Sequence, residues 1–166
     1  KGVAATLFHR IAEEHGVPYD APVARWWPEF AASGKADISV AELLSHRAGL
    51  YGLPEEAAPG RVLDWARITG ALAASPPIGR PPRPAGYHVL TYGWLIGELM
   101  IRITGSDLDT LLARYLNGPL GTAFAWRGGA LVPDRRAMLA SGDGAEPVWA
   151  HGGDGRLAAI RSLDDP

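Results

Sequence analysis

Apolar residues recur along this chain at the spacing of helices. Val3, Leu7 and Ile11 follow one another every four residues, as on one face of a helix over residues 3–15 that Gly16 ends. The same spacing predicts three further helices, at residues 61–75, at residues 95–103 with Gly105 as the stop, and from residue 106 onward. The chain is therefore expected to be mainly helical.

Polar residues at two points predict where helices begin. Ser39 followed by Glu42 is a capping-box pattern, which predicts a short helix that Gly49 ends. Ser106 with Asp109 predicts the same kind of start for the last helix.

Prolines and glycines predict the connections. Residues 17–30, with their prolines and tryptophans, are expected to form an extended connection rather than a regular element. The prolines of residues 76–84 predict a loop. After residue 121 glycine-rich stretches predict turns, and residues 157–160 fit either a short strand or one turn of helix.

Composition narrows the class of protein. A length of 166 residues, 47% hydrophobic and 20% charged residues and a net charge of -2 indicate one globular domain and exclude a nucleic-acid partner. No cysteine is present, which excludes disulfides and cysteine-ligated zinc.

No apolar run reaches the roughly 20 residues that cross a bilayer, and no signal peptide is recognisable. We expect a soluble protein outside the membrane, with the cytoplasm slightly favoured as its compartment.

Lys1 is the first candidate for chemistry. It stands at the start of the first predicted helix, where the positive end of the macrodipole disfavours a cationic side chain. Such a position suits a proton acceptor. The alternative is a solvated surface lysine without a chemical role.

Tyr87 and His88 lie where the proline-rich loop meets an amphipathic helix, a common place for catalytic side chains. A tyrosine acts as a general base when nearby cations draw off its proton. The alternative is that Tyr87 packs on the core and His88 makes local hydrogen bonds.

His151, Gly152 and Gly153 form a third candidate, because glycines let backbone amides approach a ligand. The alternative is a plain glycine turn. No His-Glu-x-x-His, Walker or dinucleotide-binding pattern and no Gly-x-Ser-x-Gly elbow is present, so we expect neither a metal nor another cofactor.

Several blocks, in order along the chain, resemble those of one enzyme family. They are residues 1–5, residues 19–30, Ile38-Ser39-Val40 with Leu43-Leu44-Ser45-His46-Arg47-Ala48-Gly49-Leu50, Gly86-Tyr87-His88-Val89-Leu90-Thr91-Tyr92-Gly93-Trp94-Leu95-Ile96-Gly97-Glu98 and Pro119-Leu120-Gly121. In this order they resemble the serine β-lactamase-like family, which includes class C β-lactamases, penicillin-binding proteins and family VIII carboxylesterases.

The resemblance implies a catalytic site. Lys1 matches the lysine of the family's Ser-x-x-Lys motif, which places the nucleophilic serine three residues before Lys1. Lys1 and Tyr87 would then activate this serine to attack an ester or amide carbonyl and form an acyl-enzyme. No Ser-x-x-Lys occurs within the chain, so the 166 residues alone are expected to be inactive.

Two departures bear on the substrate and on the third motif. Class C β-lactamases carry Tyr-x-Asn where this chain has Tyr87-His88-Val89, which favours an ester over a β-lactam. His151-Gly152-Gly153 matches the family's Lys or His, small residue and Gly, although its distance from Tyr87 is shorter than the family pattern. Alternatively this tail matches a glycine-containing helix start, and the third motif is absent.

The resemblance also implies an α+β fold, a mainly antiparallel sheet with helices on both faces. Residues 1–166 would form a single partial domain of it, mainly helical with few short strands. The expected function is that of a serine esterase with Lys1, Tyr87 and His151 as catalytic residues and His88, Gly152 and Gly153 as substrate-binding residues. Its partner would be a small-molecule ester or amide, with the oligomeric state open. The alternative is a non-catalytic scaffold or binding protein derived from the same fold.

Overall fold

Helices make up most of the chain that can be described. The computed structural model describes residues 1–54, 64–79 and 84–126. Its α-helices are α1 (Gly2–His15), α2 (Val40–Leu44), α3 (Trp65–Ala74), α4 (Thr91–Thr104), α5 (Leu108–Leu112) and the single turn α6 (Gly118–Leu120). Two 3-10 segments, Val23–Arg25 and Pro28–Gly34, lie between α1 and α2, and the second is interrupted by the non-helical backbone of Ala32 and Ser33. A π-helical turn, Ala113–Asn117, joins α5 to α6.

The core centres on the packing of α1 against α4. Leu7 and Ile11 of α1 and Ile96 and Leu99 of α4 have no exposed surface. Burial of each such side chain contributes about 1.5–3 kcal/mol relative to exposure. The two helices end at glycines in the left-handed conformation, Gly16 with φ 60° and Gly105 with φ 70°, as the sequence predicts. A mainly helical chain is confirmed for the described residues.

The ends of two other helices differ from expectation. The capping box of Ser39 and Glu42 is present at the start of α2, but α2 ends at Leu44 rather than at Gly49. The reason is His46, whose φ of 62° cannot continue a right-handed helix.

The last predicted helix begins one residue later than its capping-box pattern suggests. Asp107, not Ser106, is the N-cap of α5, because its carboxylate accepts hydrogen bonds from both the amide and the hydroxyl of Thr110, at 2.9 and 2.7 Å.

The few short strands expected are not found in the described ranges. There, extended pairing amounts to one antiparallel bridge, between Pro22 and Ser39. The connection expected over residues 17–30 is also more regular than predicted, because its prolines start short 3-10 turns instead of keeping the chain extended. Residues 157–160 lie outside the described residues.

A polar network joins α3 to α4. Glu98, which is largely buried, accepts hydrogen bonds from Trp65 Nε1 at 2.6 Å and from Arg102 Nε at 2.8 Å. Arg102 also pairs with Glu29 at 3.1 Å. The Trp65 ring lies against Gly97, where a side chain would collide with it. In the described part of the chain no helix has the length and apolar character needed to span a membrane.

Candidate active site

The structure brings together two of the residues predicted from sequence, Lys1 and Tyr87. Lys1 is the N-cap of α1, and its Nζ lies 4.8 Å from the centroid of the Tyr87 ring. The same ammonium donates a hydrogen bond to the carbonyl oxygen of Val89, at 2.5 Å. Tyr87 is 62% exposed, so its ring is accessible beside the ammonium group. This arrangement places a cation next to a phenol at the surface.

The segment that carries Tyr87 is held by hydrogen bonds on both sides of it. The Gly86 amide donates to the His46 carbonyl at 2.9 Å, and the His88 amide donates to His46 Nδ1 at 3.1 Å. The Val89 amide donates to the Tyr87 carbonyl at 2.9 Å, which makes a tight turn directly before α4. Hydrogen bonds from backbone amides on both sides of Tyr87 therefore hold the segment that carries it.

His88 lies inside the protein, with no exposed surface. Its Nε2 accepts a hydrogen bond from the Leu50 amide at 3.1 Å, and its Nδ1 lies 2.6 Å from the Gly86 carbonyl oxygen. Burial lowers the pKa of His88 to about 4, against a smaller raising effect of the Gly86 carbonyl, and nearby His46 lowers it further. The role in substrate binding expected from sequence stays a prediction; in this structure both ring nitrogens form hydrogen bonds with backbone groups.

His46 belongs to the site but was given no role on sequence grounds. Its ring centroid lies 4.8 Å from that of Tyr87, 5.3 Å from that of His88 and 4.7 Å from that of Tyr92. Burial lowers the pKa of His46, and the charge of Lys1 lowers it further. The signal available in the sequence was its place in the block from Leu43 to Leu50, but spacing alone does not connect that block to Tyr87.

Two glycines are required by the close packing around this segment. A side chain at Gly86 would collide with the ring of Tyr51, which also lies edge-on to His88 at 6.0 Å. Gly49 has φ 71°, and a Cβ there would lie 2.6 Å from the carbonyl oxygen of Ile78. The loop after α2 thus approaches the segment of Tyr87 closely.

A cleft of about 250 Å³ opens beside Lys1. Apolar side chains form much of its wall, and its lining comprises Lys1, Val3, Ala4, Tyr92, Gly93, Leu112, Phe124, Ala125 and Trp126. Its position next to the ammonium group makes it suited to the apolar part of a small molecule.

The predicted third motif, His151, Gly152 and Gly153, lies outside the described residues. Its assignment to the site therefore stays a prediction. Within residues 1–54, 64–79 and 84–126, no group of three or more His, Asp or Glu side chains is arranged to hold a metal ion.

Comparison with known proteins gives consistent matches. A family model described as Beta-lactamase matches residues 1–165. Esterase/beta-lactamase LipL of Mycobacterium tuberculosis is 42% identical over 122 residues, which cover 74% of this chain and 28% of that protein.

Solved structures agree with these matches. A penicillin-binding protein homolog from Caulobacter crescentus superimposes with a TM-score of 0.66 at 42% identity, covering 72% of this chain and 32% of that one. A family VIII carboxylesterase gives a TM-score of 0.65 at 39% identity, covering 72% and 33%. The chain thus spans about a third of the length of these relatives.

Proposed function

This chain belongs to the β-lactamase family, and we propose that it supplies the lysine and the tyrosine of a serine esterase site. The observation that carries the proposal is the contact between Lys1 and Tyr87, with the ammonium nitrogen 4.8 Å from the ring centroid. A positioned tyrosine can act as a general base, and here the ammonium group lies beside its ring. The nucleophile would be a serine three residues before Lys1, in a Ser-x-x-Lys pattern.

The proposed reaction follows from this placement. A serine one helical turn before Lys1 lies on the same face of the helix as the lysine, because residues three apart are neighbours on a helix. Tyr87, in its deprotonated form, takes the proton of the serine hydroxyl while the serine oxygen attacks the ester carbonyl, and the Lys1 ammonium group lies beside it. The proton then passes to the departing alcohol, leaving an acyl-serine, which water hydrolyses to the acid and the free serine.

Three features support an ester with an apolar group as the substrate. The cleft beside Lys1 presents Val3, Leu112 and Trp126, which suit an apolar acyl or alcohol group. The relatives include proteins described as an esterase/beta-lactamase and a family VIII carboxylesterase. Val89 stands where class C β-lactamases carry asparagine, and it offers no side-chain hydrogen bond to an amide substrate.

The proposal is tested first at the coding sequence upstream of Lys1. A serine codon three positions before Lys1 is required, and any other residue there overturns the proposal. The protein extended by that sequence is then treated with a fluorophosphonate probe and analysed by intact mass and peptide mapping. One adduct on that serine is expected, together with hydrolysis of p-nitrophenyl esters.

Tyr87→Phe is the informative variant, with Tyr19→Phe as the matched control because Tyr19 is also exposed but lies at the other end of α1. Tyr87→Phe is expected to lower kcat/KM by about 100- to 10,000-fold, the usual contribution of a general base. Tyr19→Phe should leave it unchanged. Absence of an adduct in the unsubstituted extended protein would favour a non-catalytic scaffold or binding protein instead.

A further inference from the structure

Both neighbours of Tyr87 in the chain are bound to one residue, His46. The Gly86 amide donates to the backbone carbonyl of His46 at 2.9 Å, and the His88 amide donates to its ring Nδ1 at 3.1 Å. These bonds span Tyr87 from either side. One residue of the loop after α2 therefore holds the segment that carries the proposed proton acceptor.

The backbone of His46 adopts the conformation that makes both bonds possible. Its φ of 62° lies in the left-handed region, which is uncommon for residues other than glycine, although asparagine, aspartate and histidine adopt it more often than the rest. Here the carbonyl and the ring of the same residue both reach residues 86–88. A non-glycine residue in this region carries a conformational cost and persists where surrounding contacts maintain it.

The ring of His46 also separates Tyr87 from the core. It packs edge-on against Tyr87, with the ring centroids 4.8 Å apart, and lies tilted against Tyr92, a buried residue of α4, at 4.7 Å. Since Tyr87 is 62% exposed, its other faces have few protein neighbours. The His46 ring is thus a major packing surface for Tyr87 as well as the acceptor for the next amide.

The hydrogen bonds define the protonation of both histidines. Backbone amides only donate, so His46 Nδ1 and His88 Nε2, which receive the His88 and Leu50 amides, carry no proton. The proton of neutral His88 then lies on Nδ1 and is donated to the Gly86 carbonyl, 2.6 Å away. Both rings are neutral in this arrangement, and a protonated His46 could not accept the His88 amide.

We propose that His46 is the positioning residue for Tyr87, holding it beside Lys1 through the neutral Nδ1 acceptor and the backbone carbonyl. This role rests on the proposed esterase function, in which Tyr87 must lie within proton-transfer distance of the serine. Small displacements of a catalytic group cost large factors in rate, so the loss of one of these bonds should be visible in turnover.

Two substitutions of His46 distinguish the role of its Nδ1 acceptor from the role of the rest of the ring. His46→Asn places an amide oxygen near the site of Nδ1 and tolerates the left-handed backbone. His46→Gln places its amide near the site of Nε2 and loses the acceptor for the His88 amide. His15→Asn, at the exposed end of α1, is the control.

The first measurement uses the 166-residue chain, because it does not require turnover. Long-range proton–nitrogen spectra of the unsubstituted protein are expected to show His46 with an unprotonated Nδ1 and His88 with an unprotonated Nε2. Exchange of the His88 amide with solvent should be about tenfold faster in His46→Gln and nearly unchanged in His46→Asn. Equal exchange in the two variants would overturn the proposal. A proton on His46 Nδ1 in the unsubstituted protein would also overturn it, and this outcome does not depend on whether the variants fold.

The second measurement uses ester turnover by the extended protein. His46→Gln is expected to lower kcat about tenfold with KM within about twofold, whereas His46→Asn retains most of the rate. Equal losses in both variants would make the role of His46 purely structural and contradict the positioning role. If the unsubstituted extended protein shows no turnover, the esterase proposal fails, while the spectra still decide whether His46 holds the segment of Tyr87.

Discussion

Lys1 and Tyr87 are in contact although they lie far apart in the sequence. The ammonium nitrogen of Lys1 is 4.8 Å from the centroid of the Tyr87 ring. The contact exists because α1, whose N-cap is Lys1, packs against α4, which begins at Thr91, four residues after Tyr87. The same ammonium binds the Val89 carbonyl at 2.5 Å, so Lys1 also closes the turn that carries Tyr87. We therefore expect the two residues to act together in the proposed reaction, and this expectation can be measured.

Lys1→Gln and Tyr87→Phe are expected to be non-additive in the extended protein. Each alone should lower kcat/KM by about 100-fold or more, because each interrupts the same proton transfer. The kcat/KM of the double variant should be no more than about tenfold below that of the less active single variant, because groups that act together have non-additive effects. Initial rates with p-nitrophenyl esters provide the kcat/KM values for this double-mutant cycle. If the loss in the double variant equals the product of the two single losses, the two residues act independently.

Gly86→Ala is expected to destabilise the protein by about 1–3 kcal/mol, because the new methyl group meets the Tyr51 ring. Tyr51→Ala in the Gly86→Ala background should recover part of this loss by removing the ring. Gly2→Ala is the control, since no atom lies within 4 Å of its Cβ position. Urea unfolding followed by tryptophan fluorescence gives the free energies, and full stability of Gly86→Ala alone would contradict the packing.

His88 should make the protein less stable in acid. Its pKa is about 4 in the folded chain and near 6.5 when unfolded, so the unfolded state binds the extra proton between these values. The contribution of neutral His88 to the free energy of unfolding is therefore fully present above pH 6.5 and decreases as the pH drops to 4. The total loss from this group is at most about 3 kcal/mol. The ring faces His46 and Tyr51, and protonation would break its bond with the Leu50 amide.

The measurement for His88 is urea unfolding at several pH values between 4 and 7, on the unsubstituted protein and on His88→Gln. The variant should be less stable at pH 7 but show a flatter dependence on pH, since the titrating group is gone. His15→Gln, which removes an exposed histidine, should keep the original slope. An unchanged slope in His88→Gln would assign the acid sensitivity to other groups.

Glu98→Ala is expected to destabilise the protein by about 2–4 kcal/mol, because Trp65 Nε1 and Arg102 lose a largely buried acceptor. Glu98→Gln keeps an oxygen for Trp65 and should lose roughly half as much. Glu13→Gln, which removes an exposed carboxylate paired with Arg10, should change stability by less than about 0.5 kcal/mol. Equal effects of Glu98→Ala and Glu13→Gln in chemical unfolding would contradict the network.

Local sequence patterns predicted the helices well where the signal was itself local. The stops at Gly16 and Gly105 and the capping box of Ser39 and Glu42 depend on residues within one turn, and all are present. The patterns were wrong where distant contacts decide. α2 ends early because His46 turns back toward residues 86–88, which no feature of its own neighbourhood indicates.

The sequence by itself identified the family and the two residues of the proposed proton-transfer pair. It could do so because the resemblance depends on the order of short blocks of residues along the chain, which can be read without the fold. Only the tertiary structure decided that Lys1 touches Tyr87, that His88 is buried, and that His46 binds both neighbours of Tyr87. These relationships join residues far apart in the chain, and they arise from the packing of α1 on α4 and of the loop after α2 on the segment before α4. Spacing along a chain carries no information about such contacts until the core brings the segments together.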